Sequence, residues 1–172
     1  MQSSVPMQLS IVLPAKNEAA AIGATVEKIH AQLLQMQIVG EIEVLVVNDG
    51  STDNTAAVAQ AAGARVVHHP YSKGNGAAIK TGARAASGEV IVFMDADGQH
   101  DPADIPRLLD KLAQGYDMVV GARQRGSQAS VGRGLANRFY NWFASYMTGH
   151  KIEDLTSGFR AVRADKFREF LY

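Results

Sequence analysis

Short runs of β-branched and other apolar residues alternate along this chain with longer, alanine-rich stretches whose apolar positions recur at helical spacing. Five runs read as strands: Leu9 to Leu13, Glu43 to Val47, Arg65 to His68, Val90 to Met94 and Met118 to Gly121. The stretches between them predict helices over Glu18 to Met36, Thr52 to Ala62, Gly76 to Ala86 and Pro102 to Gln114. Asp101 is placed to cap the last of these, with Pro102 at its first position. A further helix is expected from Arg133 to Met147 and a short amphipathic one from Ala164 to Leu171. Strands alternating with helices in this way predict an α/β chain, a mostly parallel sheet covered by helices.

In such a sheet a ligand binds outside the carboxyl ends of the strands, and the polar signals fall there. Val90 to Met94 ends abruptly in Asp95-Ala96-Asp97-Gly98-Gln99-His100. Residues i and i+2 of a strand share a face, so Asp95 and Asp97 converge on one point, where two hard oxygen ligands suit Mg²⁺ or Mn²⁺. Asp-Ala-Asp-Gly is also turn composition, but two further clusters end the neighbouring strands: Pro14-Ala15-Lys16-Asn17-Glu18 and Asn48-Asp49-Gly50-Ser51-Thr52-Asp53. Three such clusters at equivalent strand ends favour one shared site over three independent turns. In the second cluster, Ser51 or Thr52 is expected to cap a helix with Asp53 in its first turn, while Asp49 ends the strand and is free to accept from the N–H edge of a nucleobase. Lys73-Gly74-Asn75-Gly76 offers small residues before a helix N-terminus, a weak phosphate signal when taken alone. A dinucleotide fingerprint after the first strand and a phosphate-cradling Gly-Lys-Ser/Thr loop are both missing from the sequence.

Composition narrows the classes. With 172 residues, 47% hydrophobic and 20% charged, the chain fits one globular domain spanning residues 1–172. Lys and Arg total 17, as do Asp and Glu, so no global field points to nucleic acid. There is no cysteine, hence no disulfide or thiolate metal site, which is compatible with the cytosol. The first residues lack signal-peptide character and no run approaches membrane-spanning length. Leu135, Phe139, Trp142, Phe143 and Tyr146 recur at helical spacing beside Arg133 and Arg138. Such a stripe is usually core, although an aromatic and basic face also suits a membrane interface. His68, His69 and His100 lack the paired spacing of a zinc site.

In this order and at these intervals, the four clusters and Asp154-Leu155-Thr156-Ser157-Gly158-Phe159-Arg160 closely resemble the family 2 glycosyltransferases, and within them the branch of dolichol-phosphate mannosyltransferases and other polyprenyl-phosphate glycosyltransferases. The resemblance runs from Leu9 to about Arg163. It implies a GT-A fold, a Rossmann-like three-layer α/β/α arrangement, and transfer of a sugar from a nucleoside diphosphate sugar such as GDP-mannose or a UDP-sugar to a polyprenyl phosphate, with inversion. It implies Pro14, Asn17, Glu18, Asp49, Lys73, Gly74 and Ala96 around the nucleotide sugar, and Asp95 and Asp97 on a Mg²⁺ or Mn²⁺ ion, with Gln99 as a further ligand. Arg123, Arg133, Thr156, Ser157 and Gly158 fall on the acceptor side. Peripheral association with the cytoplasmic face of a membrane would follow. The sequence departs from the family's pattern at Asn48, where many relatives carry Asp, and at Tyr172, where relatives continue through more of the acceptor side.

The chemistry agrees with this implication. Attack at a sugar C1 requires stabilisation of the departing diphosphate. A phosphate acceptor is already ionised near neutral pH and needs positioning by arginines, for which Arg123, Arg125, Arg133 and Arg138 are candidates. An alcohol acceptor needs a base within reach, and Asp154 is the candidate. Transfer to a saccharide hydroxyl in polysaccharide or cell-envelope synthesis is therefore the alternative enzyme reading, and a catalytically silent nucleotide-binding module the alternative outside enzymes. A sugar nucleotidyltransferase would require a glycine-rich loop where Pro14 to Glu18 stands.

Overall fold

The computed structural model of the chain describes residues 8–36, 38, 40–121, 157–169 and 171. Its strands are β1 (Leu9–Ala15), β2 (Ile42–Asp49), β3 (Arg65–His69), β4 (Val90–Phe93), β5 (Met118–Val120) and β6 (Arg160–Arg163). The helices are α1 (Ile22–Gln35), α2 (Thr55–Ala61), α3 (Asn75–Ala85), α4 (Ile105–Leu112) and α5 (Ala164–Glu169), with a 3₁₀ turn over Pro102–Asp104 before α4. The strands form one sheet in the order β3-β2-β1-β4-β6-β5. The first four are parallel, whereas β6 runs antiparallel to both β4 and β5.

Alternation along the strands explains the layering. Leu9, Ile11 and Leu13 of β1, with Val44 and Val46 of β2, join Val26 and Ile29 of α1 and Ile105 and Leu109 of α4 in one apolar cluster. Val12, Leu45, Val47 and Phe93 face the other way, against Ala78 and Ala83 of α3. Phe167 of α5 closes this second face, its ring centroid 5.3 Å from that of Phe93. Because both faces are covered, the central strands read as continuous apolar runs, and their carboxyl ends are left as the open edge.

Five of the six predicted helices and all five predicted strands are present with shifted ends, and Asp101 caps the 3₁₀ turn by accepting from the Ala103 amide. The expected helix from Arg133 to Met147 lies outside the described residues, while the one predicted from Ala164 is α5. Two differences bear on the site. First, α2 starts at Thr55 rather than Thr52, and Ser51, Thr52 and Asp53 hold the loop after β1, as described below. Second, β6 was not expected: Arg160-Ala161-Val162-Arg163 slips between β4 and β5 and carries Ser157 to Phe159 against the end of β4.

Candidate functional site

The loop that follows β1 is held by the loop that follows β2. Asn17 takes the left-handed conformation, φ 56°, which asparagine tolerates better than most residues. Its amide donates to Ser51 Oγ at 3.0 Å, and its Oδ1 accepts from the Thr52 amide at 2.8 Å. The Glu18 amide donates to Thr55 Oγ1 at 2.9 Å and the Ala19 amide to Asp53 Oδ2 at 3.1 Å. Asp53 also accepts from the Thr55 hydroxyl and amide. Ser51, Thr52 and Asp53 therefore lock Asn17 to Ala19 in place, while Asp53 also takes the first amide of α2, whose N-cap, Asn54, makes no side-chain cap bond. Hydrogen bonding from Thr55 holds the Asp53 carboxyl below its usual value despite partial desolvation.

Asp49 ends β2, 3% exposed, and both its oxygens are engaged. His69 Nδ1 donates at 2.7 Å and the Lys73 amide at 2.8 Å to Oδ1, while the Ser72 hydroxyl and the Gly74 amide each donate at 2.9 Å to Oδ2. Burial alone would raise this carboxyl, but the four hydrogen bonds outweigh it and keep Asp49 well below the ordinary carboxylate range. On the other side of the ring, His69 Nε2 is hydrogen-bonded with the Thr81 hydroxyl at 2.9 Å. Asp49 and His69 are register partners across β2 and β3, which is why they meet. Their joint effect is to fix residues 72–74 and so the start of α3, whose N-cap Gly74 has φ 91°, a value that favours glycine.

Asp95 follows β4. His100 Nε2 donates to its Oδ2 at 3.0 Å, and the His100 ring stacks on Phe159 with centroids 5.2 Å apart. Extending the β4–β6 register from Phe93–Arg160 sets Gly158 opposite Asp95. The fit there is close: a Cβ on Gly158 would lie 2.3 Å from Asp95 Oδ1. Asp97 is exposed on the turn, its Oδ1 accepting from the Gln99 amide at 3.0 Å.

These pieces surround a cleft of about 340 Å³ at the carboxyl ends of β1, β2 and β4, beside the start of α3. Of the residues expected at the site, Pro14, Glu18, Asp49, Gly74, Asp95, Ala96 and Asp97 line it, joined by Ala15 and Lys16 of the first cluster, by Asn75 and Ala78 of the glycine-containing stretch that opens α3, and by Ser72, which sequence reasoning did not select. Asn17 supports the walls through its amide and its Oδ1, Lys73 through its amide, and the Lys73 ammonium lies 5.6 Å from the Tyr71 ring centroid. Ser157 is buried, its Oγ accepting from the Phe159 amide at 3.3 Å, and Gly158 abuts Asp95. Arg123, Arg125, Arg133, Arg138, Asp154 and Thr156 lie outside the described residues. A larger groove, about 500 Å³, opens at the amino ends of the strands, but its lining is mainly apolar and its Glu43 and Arg65 bond to each other. Convergent polar groups mark the smaller cleft as the site.

Acidic charge concentrates at one end of this cleft. Burial, then the proximity of Asp97, Asp53 and Asp95, pushes the Glu18 carboxyl up. Among the described residues no group of three or more His, Asp or Glu side chains could hold a metal ion by itself. Asp95 and Asp97 nevertheless fit one that draws its remaining ligands from a diphosphate, the usual manner of Mg²⁺.

The sequence pattern of glycosyl transferase family 2 matches residues 10–171, and the chain belongs to that family. Its fold is the GT-A fold, a three-layer α/β/α arrangement around a mostly parallel sheet. An uncharacterised protein of Methanocaldococcus jannaschii is 32% identical, with 95% of this chain and 68% of that protein aligned. The undecaprenyl-phosphate 4-deoxy-4-formamido-L-arabinose transferase of Proteus mirabilis is 32% identical over 91% of this chain and 49% of its own length. Among solved structures, mannosyl-3-phosphoglycerate synthase from Rubrobacter xylanophilus superposes with a TM-score of 0.76 at 25% identity, covering 94% of this chain and 54% of that one. Glucosyl-3-phosphoglycerate synthase from Mycobacterium tuberculosis, in complex with Mn²⁺, UDP and glucosyl-3-phosphoglycerate, gives 0.74 at 27% identity, with 92% and 57% covered. The chain thus spans about half the length of the transferase and of both synthases.

Proposed function

We propose that this protein is a metal-dependent, inverting glycosyltransferase that moves a sugar from a nucleoside diphosphate sugar to a polyprenyl phosphate. The observation that carries the reading is the gathering of Asp49, the start of α3, Asp95 and Asp97 around one cleft. The base end is the Asp49 side, the β1 and β2 loops flank the nucleoside, and the diphosphate extends towards Asp95 and Asp97. A bound Mg²⁺ or Mn²⁺, held by Asp95 and Asp97 with Gln99 nearby, would supply Lewis-acid stabilisation of the charge developing on the leaving diphosphate. The acceptor's phosphate oxygen forms the new bond to C1 as the C1–O bond to the diphosphate breaks, and the nucleoside diphosphate leaves with the electron pair. Attack from the opposite side inverts C1. A phosphate monoester, with a second pKa of about 6, needs no general base for this step.

The named transferase relative supports an undecaprenyl-phosphate acceptor. The proposed engagement of a lipid acceptor is peripheral, at a cytoplasmic face, by analogy with a relative named for an undecaprenyl-phosphate acceptor; no helix among the described residues is long and apolar enough to cross a membrane. A second reading, transfer to the hydroxyl of a small phosphorylated acid, is favoured by the two 3-phosphoglycerate synthases that share the fold. In both readings the acceptor bears a phosphate.

The deciding experiment offers purified protein a panel of labelled GDP- and UDP-sugars with polyprenyl phosphate, with and without chelator. Label entering the organic phase only when Mn²⁺ or Mg²⁺ is present is the expected result, and donor hydrolysis without acceptor would already exclude a silent binding module. Transfer undiminished by chelator would refute the metal. Asp97→Asn should abolish Mn²⁺-dependent donor binding while leaving the circular dichroism spectrum unchanged, and unaltered affinity would remove Asp97 from the site.

A further inference from the structure

The described part of the site contains a cation, Arg160, that closes the Asp154-to-Arg160 motif but has no part in the proposed donor chemistry. Arg160 opens β6 directly opposite Phe93. By alternation Phe93 and Asp95 share a face of β4, and Arg160 and Gly158 share the corresponding face of β6. Val162, two residues beyond Arg160, packs with Phe93 on the α3 side of the sheet, so the Arg160 side chain emerges on that side, next to Asp95. Its guanidinium is more than half buried and its Nε has no hydrogen-bond partner among the described residues. Guanidinium groups present five N–H donors in a rigid fork, and a buried donor left without a partner is costly. Burial lowers the pKa of Arg160, and Asp95 opposes that effect.

Position decides what the fork faces. Along the open edge of the sheet the order is Asp49 on β2, Pro14 on β1, Asp95 after β4 and Arg160 on β6. The nucleotide cleft lies between Asp49 and Asp95, which puts Arg160 on the far side of Asp95 from the nucleoside. An anion on Arg160 would therefore lie across Asp95 from that cleft.

We propose that Arg160 binds the phosphate monoester of the acceptor and aims its oxygen at the donor sugar. This rests on the transferase reading for the identity of the site, but phosphate recognition is testable without turnover. Arg160 pairs with the acceptor phosphate in a forked, charge-assisted hydrogen bond. Gly158, lacking a side chain, lets β6 approach Asp95 closely enough to bring the acceptor-side cation and the donor-side carboxylate together.

The test is direct binding of three probes in detergent micelles or buffer: farnesyl phosphate, farnesol and 3-phosphoglycerate. Each is titrated against the wild type, Arg160→Gln and Arg160→Lys, alongside a nucleotide sugar with Mn²⁺. Arg160→Gln should weaken farnesyl phosphate about tenfold or more, leave farnesol unchanged and leave nucleotide-sugar affinity intact. Arg160→Lys, keeping the charge without the fork, should fall between, and it carries the test if the Gln variant fails to fold. An Arg160-dependent loss confined to 3-phosphoglycerate would support the same phosphate role with a soluble acceptor. Equal farnesyl phosphate and 3-phosphoglycerate affinities in all three proteins would overturn the proposal. So would matched losses for nucleotide sugar and phosphate probes, which would make Arg160 a support for Asp95. Failure of the wild type to bind any nucleotide sugar would defeat the transferase reading while the phosphate titrations still decide the role of Arg160.

Discussion

With all four of its hydrogen bonds made inside the protein, Asp49 works first as a clamp on residues 72–74. Asp49→Asn puts an NH₂ where two N–H or O–H donors already point, so it should cost about 1–3 kcal/mol of stability and loosen nucleotide binding together with it. A thermal melt and a nucleotide-sugar titration check this, and a variant that loses affinity with an unchanged melt would mean direct base recognition dominates. Gly158 is the opposite case, significant for what it lacks. Gly158→Ala must displace the Asp95 carboxylate, because the added Cβ would lie 2.3 Å from Oδ1 and 2.6 Å from Cγ. Turnover should drop about tenfold or more for an ångström-scale misplacement at a reacting centre; wild-type turnover would show that Asp95 tolerates the shift. The sequence marks the aspartates because their types and spacing carry the chemistry. It does not mark His69, whose meeting with Asp49 depends on β2–β3 register, and it includes Arg160 in the Asp154-to-Arg160 motif without assigning it a role, because its place opposite Phe93 depends on β4–β6 register.

At the scale of elements, the parallel strands were legible because burial on both faces leaves uninterrupted Val, Ile and Leu runs. Only Ala161 and Val162 of β6 are buried, and its antiparallel insertion between β4 and β5 is a long-range pairing that no local pattern announces. The start of α2 was misplaced for a related reason: Ser51 to Asp53 are good capping residues, but they also take partners from the β1 loop 34 or more positions away. The amino ends of the strands are tied by Glu43 of β2, which accepts from Ser10 of β1, from the amide and hydroxyl of Ser87 before β4 and from Arg65 of β3. Burial would raise this carboxyl, but the bonds from Ser10, Ser87 and Arg65 prevail and hold it at about 2 against a usual 4.5. A depressed folded-state pKa stabilises above the unfolded value and loses that contribution as pH falls through the folded one. Glu43 therefore supports the fold fully above 4.5 and progressively less down to about 2. Glu43→Gln should lower the melting temperature near neutral pH and flatten its decline across that acid window. An acid limb parallel to the wild type's would show that Glu43 is not among the carboxylates governing it.

For the whole molecule, the sheet's central strands are deeply buried and its open edge is prepared unequally. Val12, Leu45, Val46 and Val47 are fully buried between helix layers, whereas β5 is three residues long and mostly exposed at the sheet's edge. Within the site, residues 72–74 are already fastened by Asp49, while Asp97 is exposed and its described bond is the turn contact to the Gln99 amide. A ligand adds most order where least exists beforehand, because the entropic cost of ordering the clamped loop was met on folding. Hydrogen exchange should accordingly find β1 and β2 slowest and β5 fastest in the free protein. Adding Mn²⁺ with a nucleotide sugar should then protect residues 97–99 much more than residues 72–74, and neither ligand alone should reproduce the full effect. Protection concentrated instead at 72–74 would mean that the base-side loop is open before binding and that Asp49 exchanges its internal donors for the nucleobase, which would reverse the order in which this site is assembled.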